Sequence, residues 1–285
     1  MSKIYGLPYQ GSKSRIAEKI IELLPAGGTF YDLFAGGCAV THCAILSKKW
    51  DRFVINDIRA GQTKFFTDAI EGNLSDGYDG WVSREEFFKK KDTDPFIRSV
   101  WSFCSNQKDY IYGPEKEKIK SIVHRMLTAQ TVEERMQFFS QFITALHGYL
   151  LSSNPCSLLT DIKRVQHLES IKRIKKIENI KQSSSDGLIE RCEYDYQEVP
   201  LNQKGIIYCD IPYANTKGYG KQKFDYERFY EWCEKQTMPV FISELNMPED
   251  KFVSIAEMKL NHNGSSTKVK PVTEKIFIPK HQAVT

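Results

Sequence analysis

A chain of 285 residues is long enough for about two domains at roughly 150 residues each. Its hydrophobic share of 41%, charged share of 27% and aromatic share of 12% are ordinary globular values, which exclude a disordered or fibrous chain. A net charge of +4 is too small to announce a partner by itself, so where the excess sits matters more than its size. No apolar run approaches the roughly 18 residues of a spanning helix, and the opening Met1-Ser-Lys-Ile-Tyr5 lacks the apolar core of a signal peptide. A cytoplasmic protein without membrane association is expected. The seven cysteines, at 38, 43, 104, 156, 192, 209 and 233, are odd in number and never in CxxC spacing, so reduced thiols are expected. His42, His124, His147, His167 and His262 show no metal-ligand spacing either, and no metal is expected.

In chain order, residues 14–24 place Ile16, Ile20, Leu23 and Leu24 at helical spacing, and Pro25 to Gly28 stop that helix. Thr29–Leu33 predicts a short strand that runs into Phe34-Ala-Gly-Gly-Cys38. A helix over about 38–48 and a strand over Phe53–Ile58 follow, so 14–58 has the pattern that opens an α/β unit. From 59 to 160 aromatic and charged residues mix at helical spacing, which predicts a mostly helical insertion with a turn-rich stretch at 105–115. A basic helix over 161–181 carries Ile162, Val165, Leu168, Ile171, Ile174, Ile177 and Ile180 at every third position. Strands are then predicted at 188–193, Gly205–Asp210 and Pro239–Ser243, with a helix over Asp225–Gln236 between the last two. A hairpin of Phe252–Leu260 and Val272–Ile278 closes the chain.

Two places along this pattern carry chemistry. In Phe30-Tyr-Asp32-Leu-Phe34-Ala35-Gly36-Gly37, a strand breaks into glycines, and a ligand can approach backbone that has no side chain over it. Asp57 ends the next strand about 20 residues later, where a carboxylate can accept from both hydroxyls of a ribose. A tight structural turn explains the glycines almost as well when they are taken alone. The second place is Asp210-Ile211-Pro212-Tyr213, at the tip of an apolar strand. The lone pair of an exocyclic amine on a nucleobase is delocalised into the ring. A carboxylate and a backbone carbonyl accepting its two N–H bonds draw the nitrogen toward a pyramidal geometry and free the pair for attack on a methyl group. Proline fixes such a turn, and the following aromatic ring can stack on the base. An acid that merely caps a turn is the plain alternative.

Both places, in this order, resemble the Dam-type DNA adenine-N6 methyltransferases. The likeness runs over most of the chain: Pro8-Tyr9-Gln-Gly11-Ser-Lys13, Phe30–Val40, Asn56-Asp57-Ile58, Tyr194-Asp195-Tyr196-Gln-Glu-Val199, Asp210–Tyr213, Ile242-Ser243, and Asn263-Gly264 with Val272–Ile278. It implies an α/β fold with a Rossmann-like methyltransferase sheet, seven-stranded, mostly parallel with an antiparallel last strand, and an inserted helical target-recognition subdomain. By this division residues 1–58 and 161–285 form the catalytic domain and 59–160 the insertion. The resemblance also implies S-adenosylmethionine as methyl donor. Tyr9, Lys13, Asp32, Phe34, Ala35, Gly36, Asp57, Asp195 and Tyr196 would then surround it. Asp210, the carbonyl of Ile211, Pro212 and Tyr213 would hold a flipped adenine, since a base inside duplex DNA is out of reach. The chain departs from the pattern at Ile211, where the family has proline, at Cys38 in place of a third glycine, and at Glu244 in place of asparagine.

DNA contacts are expected from Asn106 and Lys108 in the insertion and from Lys172 and Lys176 in the basic helix. Lys217, Lys221 and Lys223 in a glycine-broken loop after Tyr213, and Lys268 in the last hairpin, join them. Residues 161–181 hold seven basic side chains against three acidic ones, an excess equal to that of the whole chain. A monomer or weak dimer is expected, solitary or part of a restriction-modification pair. The competing readings are an amino-methyltransferase acting on RNA or protein glutamine, a catalytically weak DNA-binding homologue, and a nicotinamide-dependent oxidoreductase. The absence of GxGxxG weighs against the last.

Overall fold

The computed structural model describes residues 3–74, 79–150, 165–178, 188–213, 224–260 and 272–283. It divides into two compact units. The first comprises Met1–Gly6, Ser12–Thr67 and Gln182–Thr285, and the second Leu7–Gly11 and Asp68–Lys181.

The first unit is built on one sheet. Its strands are β1 (Thr29–Asp32), β2 (Arg52–Asn56), β3 (Leu188–Cys192), β4 (Gly205–Asp210), β5 (Val240–Glu244), β6 (Phe252–Leu260) and β7 (Val272–Pro279). The spatial order is β3-β2-β1-β4-β5-β7-β6. β1 pairs in parallel with β2 and β4, β2 with β3, and β4 with β5, while β7 runs antiparallel between β5 and β6. This is the seven-stranded, mostly parallel methyltransferase-like sheet that the sequence implied.

The strands read as unbroken apolar runs because both faces are covered, as parallel sheets require. Side chains alternate between the faces with period two. Phe30, Phe53, Ile206, Tyr208 and Phe241 pack on one side with Ile20 and Ile21 of α1 (Ala17–Leu23) and Val40 and Ala44 of α2 (Ala39–Ser47). Tyr31, Val54, Ile207, Cys209 and Ile242 pack on the other with Phe229, Trp232 and Cys233 of a helix at Tyr226–Glu234. That helix starts where expected because the Asp225 side chain accepts from the Arg228 N–H at 3.1 Å.

Most boundaries shift by one or two residues from the sequence expectation, and two of the shifts bear on the site. The helix over 14–24 begins as a 3-10 turn at Lys13–Arg15, and α1 proper starts only at Ala17. The second strand stops at Asn56 rather than Ile58: Asp57 turns to accept the Arg59 N–H at 2.9 Å, and Ile58 is exposed.

A helix at Gln62–Glu71 leads from the first unit into the second. The second unit is helical, with helices at Arg84–Lys90, Pro95–Val100, Pro114–Thr128, Val132–Leu150 and Gln166–Glu178. Its centre is aromatic: Trp101 stacks on His167 with centroids 4.0 Å apart, and Trp81 stacks on Tyr112 at 5.8 Å. The basic helix appears as Gln166–Glu178, with His167, Ile171, Ile174 and Ile177 inside and Lys172, Lys175 and Lys176 outside. Residues 161–164 and 179–181 lie outside the described residues. No helix among the described residues is long and apolar enough to cross a membrane.

Candidate active site

All five parallel strands end on an acid or next to one: Asp32 on β1, Asp57 just past β2, Glu193 just past β3, Asp210 on β4 and Glu244 on β5. Strand order reverses between β1 and β4, and open α/β sheets bind their ligands outside the carboxyl ends at such a switch.

The glycine turn leaves β1 there. Gly36 sits at φ +51° and donates its N–H to Asp57 Oδ2 at 2.8 Å, while Ala35 N–H reaches the Asn56 carbonyl at 2.8 Å. The turn is thereby tied to the end of β2. Asn56 extends the tie to the segment after β3: its amide donates to the carbonyls of Leu33 (3.0 Å) and Tyr194 (3.1 Å) and accepts the Tyr194 N–H at 2.9 Å. Cys38, at the position of the family's third glycine, keeps the left-handed conformation at φ +54° and caps α2. Burial, with Asp32 and Asp57 nearby, holds its thiol well above the ordinary value. Gly6 closes over the same turn: a Cβ there would stand 2.4 Å from the Gly37 carbonyl, and its N–H donates to His42 Nδ1 at 2.8 Å. Asp32 accepts the Thr41 hydroxyl at 2.6 Å, and burial beside Asp210 and Asp57 raises its carboxyl to about 7.

On the other side of the turn, the Phe34 ring lies 5.3 Å from Tyr196 and 5.7 Å from Phe224, forming an aromatic wall. Asp195 caps the 3-10 turn Tyr196–Glu198 and holds both terminal nitrogens of Arg228, at 3.0 and 3.2 Å. The Arg228 guanidinium lies 5.6 Å above the Tyr196 ring. Arg228 had no sequence signal beyond its place on an amphipathic helix.

The Asp210 cluster gathers residues from distant parts of the first unit. Lys13 Nζ donates to Asp210 Oδ1 at 2.5 Å and stands 3.7 Å from Glu274 Oε1. It also lies 4.8 Å above the Tyr213 ring. The Tyr213 hydroxyl donates to Glu274 Oε2 at 2.5 Å, and the Ser243 hydroxyl donates to Oε1 at 2.8 Å. The Tyr226 hydroxyl donates to the Pro212 carbonyl at 2.8 Å and fixes the turn from outside. Ile211, where the family has proline, buries its side chain among Cys209, Phe229 and Trp232.

Electrostatics follow from burial. Desolvation raises the Asp210 carboxyl to about 6; Lys13 pulls it down and Glu274 pushes it up. Burial alone would lower the Lys13 ammonium, but the charges of Asp210 and Glu274 outweigh it and hold the group well above its ordinary value. Glu244 is likewise raised to about 7, by burial and then by the neighbouring acids. Near neutral pH, Lys13 is charged and Asp210 is mostly an acceptor.

The structure thus brings Lys13, Asp210, Ile211, Pro212 and Tyr213 into one cluster. Asp32, Phe34, Ala35, Gly36, Asp57, Asp195 and Tyr196 form the adjoining turn and wall. Tyr9, Asn106, Lys108, Lys172 and Lys176 belong to the second unit. Asn106 is engaged there: its carbonyl oxygen accepts from the N–H groups of Lys108 (2.9 Å) and Asp109 (3.0 Å), and its amide donates to Asp109 at 2.8 Å. Lys217, Lys221, Lys223 and Lys268 lie outside the described residues. Glu274 was not among the residues expected from sequence, although a signal was present. In Val272-Thr-Glu-Lys-Ile-Phe-Ile278 it occupies the same inward register as Ile276, and an acid at a core position of a strand demands a partner. Among the described residues, no group of three or more His, Cys, Asp or Glu side chains could hold a metal ion.

The profile of the D12 class N6 adenine-specific DNA methyltransferases matches residues 9–238, most of the chain and parts of both units. The solved structure of SMU.472, taken to be a methyltransferase and complexed with SAH, aligns over 83% of this chain and 50% of that one, with 10% identity and a TM-score of 0.25. The chain therefore spans about half the length of that structure, and the likeness is too slight to bear on fold or function. No curated protein matches the sequence.

Proposed function

The chain belongs to the D12 class N6 adenine-specific DNA methyltransferases, and from that premise we propose that it moves a methyl group from S-adenosylmethionine to the N6 amine of an adenine flipped out of DNA. One observation carries the reading: Asp210-Ile-Pro-Tyr213 stands at the carboxyl end of β4, beside the switch in strand order, with Asp210 raised only to about 6. At neutral pH that carboxylate accepts one N–H of the amine, and the Ile211 carbonyl accepts the other. Tyr213 stacks on the base. The nitrogen lone pair is thereby freed from the ring, by positioning and electrostatics.

The cofactor, when bound, supplies an electrophilic methyl group. The residues fit it chemically. Gly36 puts no side chain over the turn, and the Asp57 carboxylate stands beside it, accepting the Gly36 N–H at 2.8 Å, where its acceptor oxygens suit ribose hydroxyls. Phe34 and Tyr196 offer a face to an adenine ring. Asp195 positions Tyr196 through Arg228. Lys13 touches Asp210 directly, so we assign it to the target side of the site, where the sequence resemblance had given it to the cofactor.

Target recognition falls to the second unit, with Lys108, Lys172 and Lys176 against phosphates. The DNA reading is preferred to RNA or protein glutamine because the family match extends through this unit as well as the first four strands of the sheet. The test uses labelled S-adenosylmethionine with DNA and with RNA. Wild type should label DNA, and Asp210→Ala should lose transfer while still binding the cofactor by calorimetry. Equal transfer by Asp210→Ala and wild type would refute the assignment.

A further inference from the structure

Glu274 plays no part in the reaction as described above, yet three side chains of the site converge on it. It is fully buried, near the start of an antiparallel strand, 64 positions after Asp210 in the sequence. A carboxylate taken out of water is costly unless it is hydrogen-bonded and paired. Here those partners are residues of the site or its rim. Tyr213 donates to Oε2 at 2.5 Å, Ser243 donates to Oε1 at 2.8 Å, and Lys13 stands 3.7 Å from Oε1. A carboxylate that served only the fold would be replaced at less cost by an apolar residue matching Ile276, its neighbour on the same face.

The geometry also poses a problem that Glu274 answers. Lys13 holds Asp210 Oδ1 at 2.5 Å, and the target amine needs an oxygen of the same carboxylate. When the amine enters, the ammonium must lose part of that bond without being left unpaired in a buried place. Glu274 Oε1 is the second anion within its reach.

We propose that Glu274 is a positioning residue of the target-base pocket. It holds the phenol of Tyr213 so that the ring is fixed for stacking, and it is the counter-charge to which Lys13 turns when the amine claims Asp210. This rests on the proposed adenine transfer, since it concerns how the same site receives its base. Glu274 touches no reacting atom and acts through Tyr213 and Lys13.

The experiment compares Glu274→Ala, Glu274→Gln and Tyr213→Phe, singly and combined, with folding checked by circular dichroism. The first measurement needs no substrate. The ultraviolet titration of wild type minus Tyr213→Phe isolates the Tyr213 phenol, and the same difference in the Glu274→Ala background isolates it without its acceptor. The phenol should ionise at lower pH once Glu274 is gone, because burial first, then the Asp210 charge, and then the Glu274 charge and hydrogen bond hold it up against the pull of Lys13. The second measurement places 2-aminopurine at the target position. Glu274→Ala should lose the fluorescence rise of a flipped base and more than about tenfold in kcat. Glu274→Gln, whose amide oxygen still accepts the phenol, should restore the fluorescence but leave kcat low, with its acidic limb moved to lower pH because a negative neighbour of Asp210 is gone. In the Tyr213→Phe background the fluorescence effect of Glu274→Ala should vanish. An unchanged phenol titration would overturn the proposal even in a protein inactive on DNA. So would wild-type kcat in a folded Glu274→Ala, or losses in Ala and Gln variants that are equal and simply add to Tyr213→Phe. If Glu274→Ala does not fold, the Gln variant in the same cycle decides. Wild-type protein inert on all DNA, with the phenol shift present, would count against adenine transfer and leave the clamp on Tyr213 standing.

Discussion

Lys13→Met removes the cation that touches Asp210 and leaves its methylene packing largely in place. The lost contact is a charge-assisted bond at 2.5 Å inside the protein, of a kind worth about 1.5–3 kcal/mol. At 1.36 kcal/mol per pKa unit, that loss raises Asp210 by about one to two units. The starting value is about 6, so the carboxyl moves to about 7–8 and takes up a proton rather than remain a buried, unpaired charge. A protonated carboxyl is a poor acceptor for an amine. At pH of about 6.5 the ionised fraction falls from about three-quarters to between about a quarter and a thirtieth, a loss of roughly 3- to 25-fold. At pH of about 9 both proteins are ionised, and the variant should equal or exceed wild type because nothing competes for Oδ1. The assay is single-turnover transfer of a labelled methyl group across that pH range. A loss of the same factor at every pH would refute the reasoning, as would an acidic limb that stays where it is in wild type.

Two further predictions concern stability. His167 is buried between Trp101, Tyr112 and His124, and desolvation first, then His124 and Lys120, lower its imidazole to about 3. Its depressed value means that stability is present above the unfolded value near 6.5 and is lost as pH falls toward about 3, by up to about 5 kcal/mol. Asp32, Asp210 and Glu244, all raised, act in the opposite sense, so the difference between wild type and His167→Gln isolates the effect: denaturant midpoints should converge as pH drops from about 7 to 5, and a constant gap would contradict it. At Cys38, the N-cap of α2, the left-handed backbone adds to the ordinary preference of a cap for glycine over alanine. Cys38→Gly should be about 1 kcal/mol more stable than Cys38→Ala in chemical denaturation, since both lose the thiol and only glycine relieves φ +54°. Equal midpoints would show that the turn carries no strain.

The sheet was legible because its strands are short apolar runs bounded by glycine, proline and acids, and a parallel sheet covered on both faces produces that signature. Gly205–Asp210 appears with the expected limits. The glycine turn and the Asp-Ile-Pro-Tyr tip were legible for a related reason: each is a local arrangement whose residues adjoin in sequence. What escaped was made by contacts between distant residues. Lys13 and Asp210 are 197 positions apart, and no spacing rule connects them. Arg228 reaches Asp195 across 33 positions, from a helix whose charged face looks like any solvated face. Glu274 lay hidden in a strand that was identified correctly, since the alternation was read for its apolar members and not for the acid among them. In the second unit the every-third isoleucine stripe did mark the inward side of Gln166–Glu178, but the His167 and Trp101 stack that it joins has no counterpart in periodicity.

Whether this site methylates the N6 amine of adenine in DNA is tested most directly by digesting DNA from a transfer reaction to nucleosides and identifying the methylated one by mass spectrometry. N6-methyladenine is expected from wild type and none from Asp210→Ala. Methyl groups found on cytosine, on RNA alone or on protein, with DNA adenines unmodified, would contradict the proposed reaction.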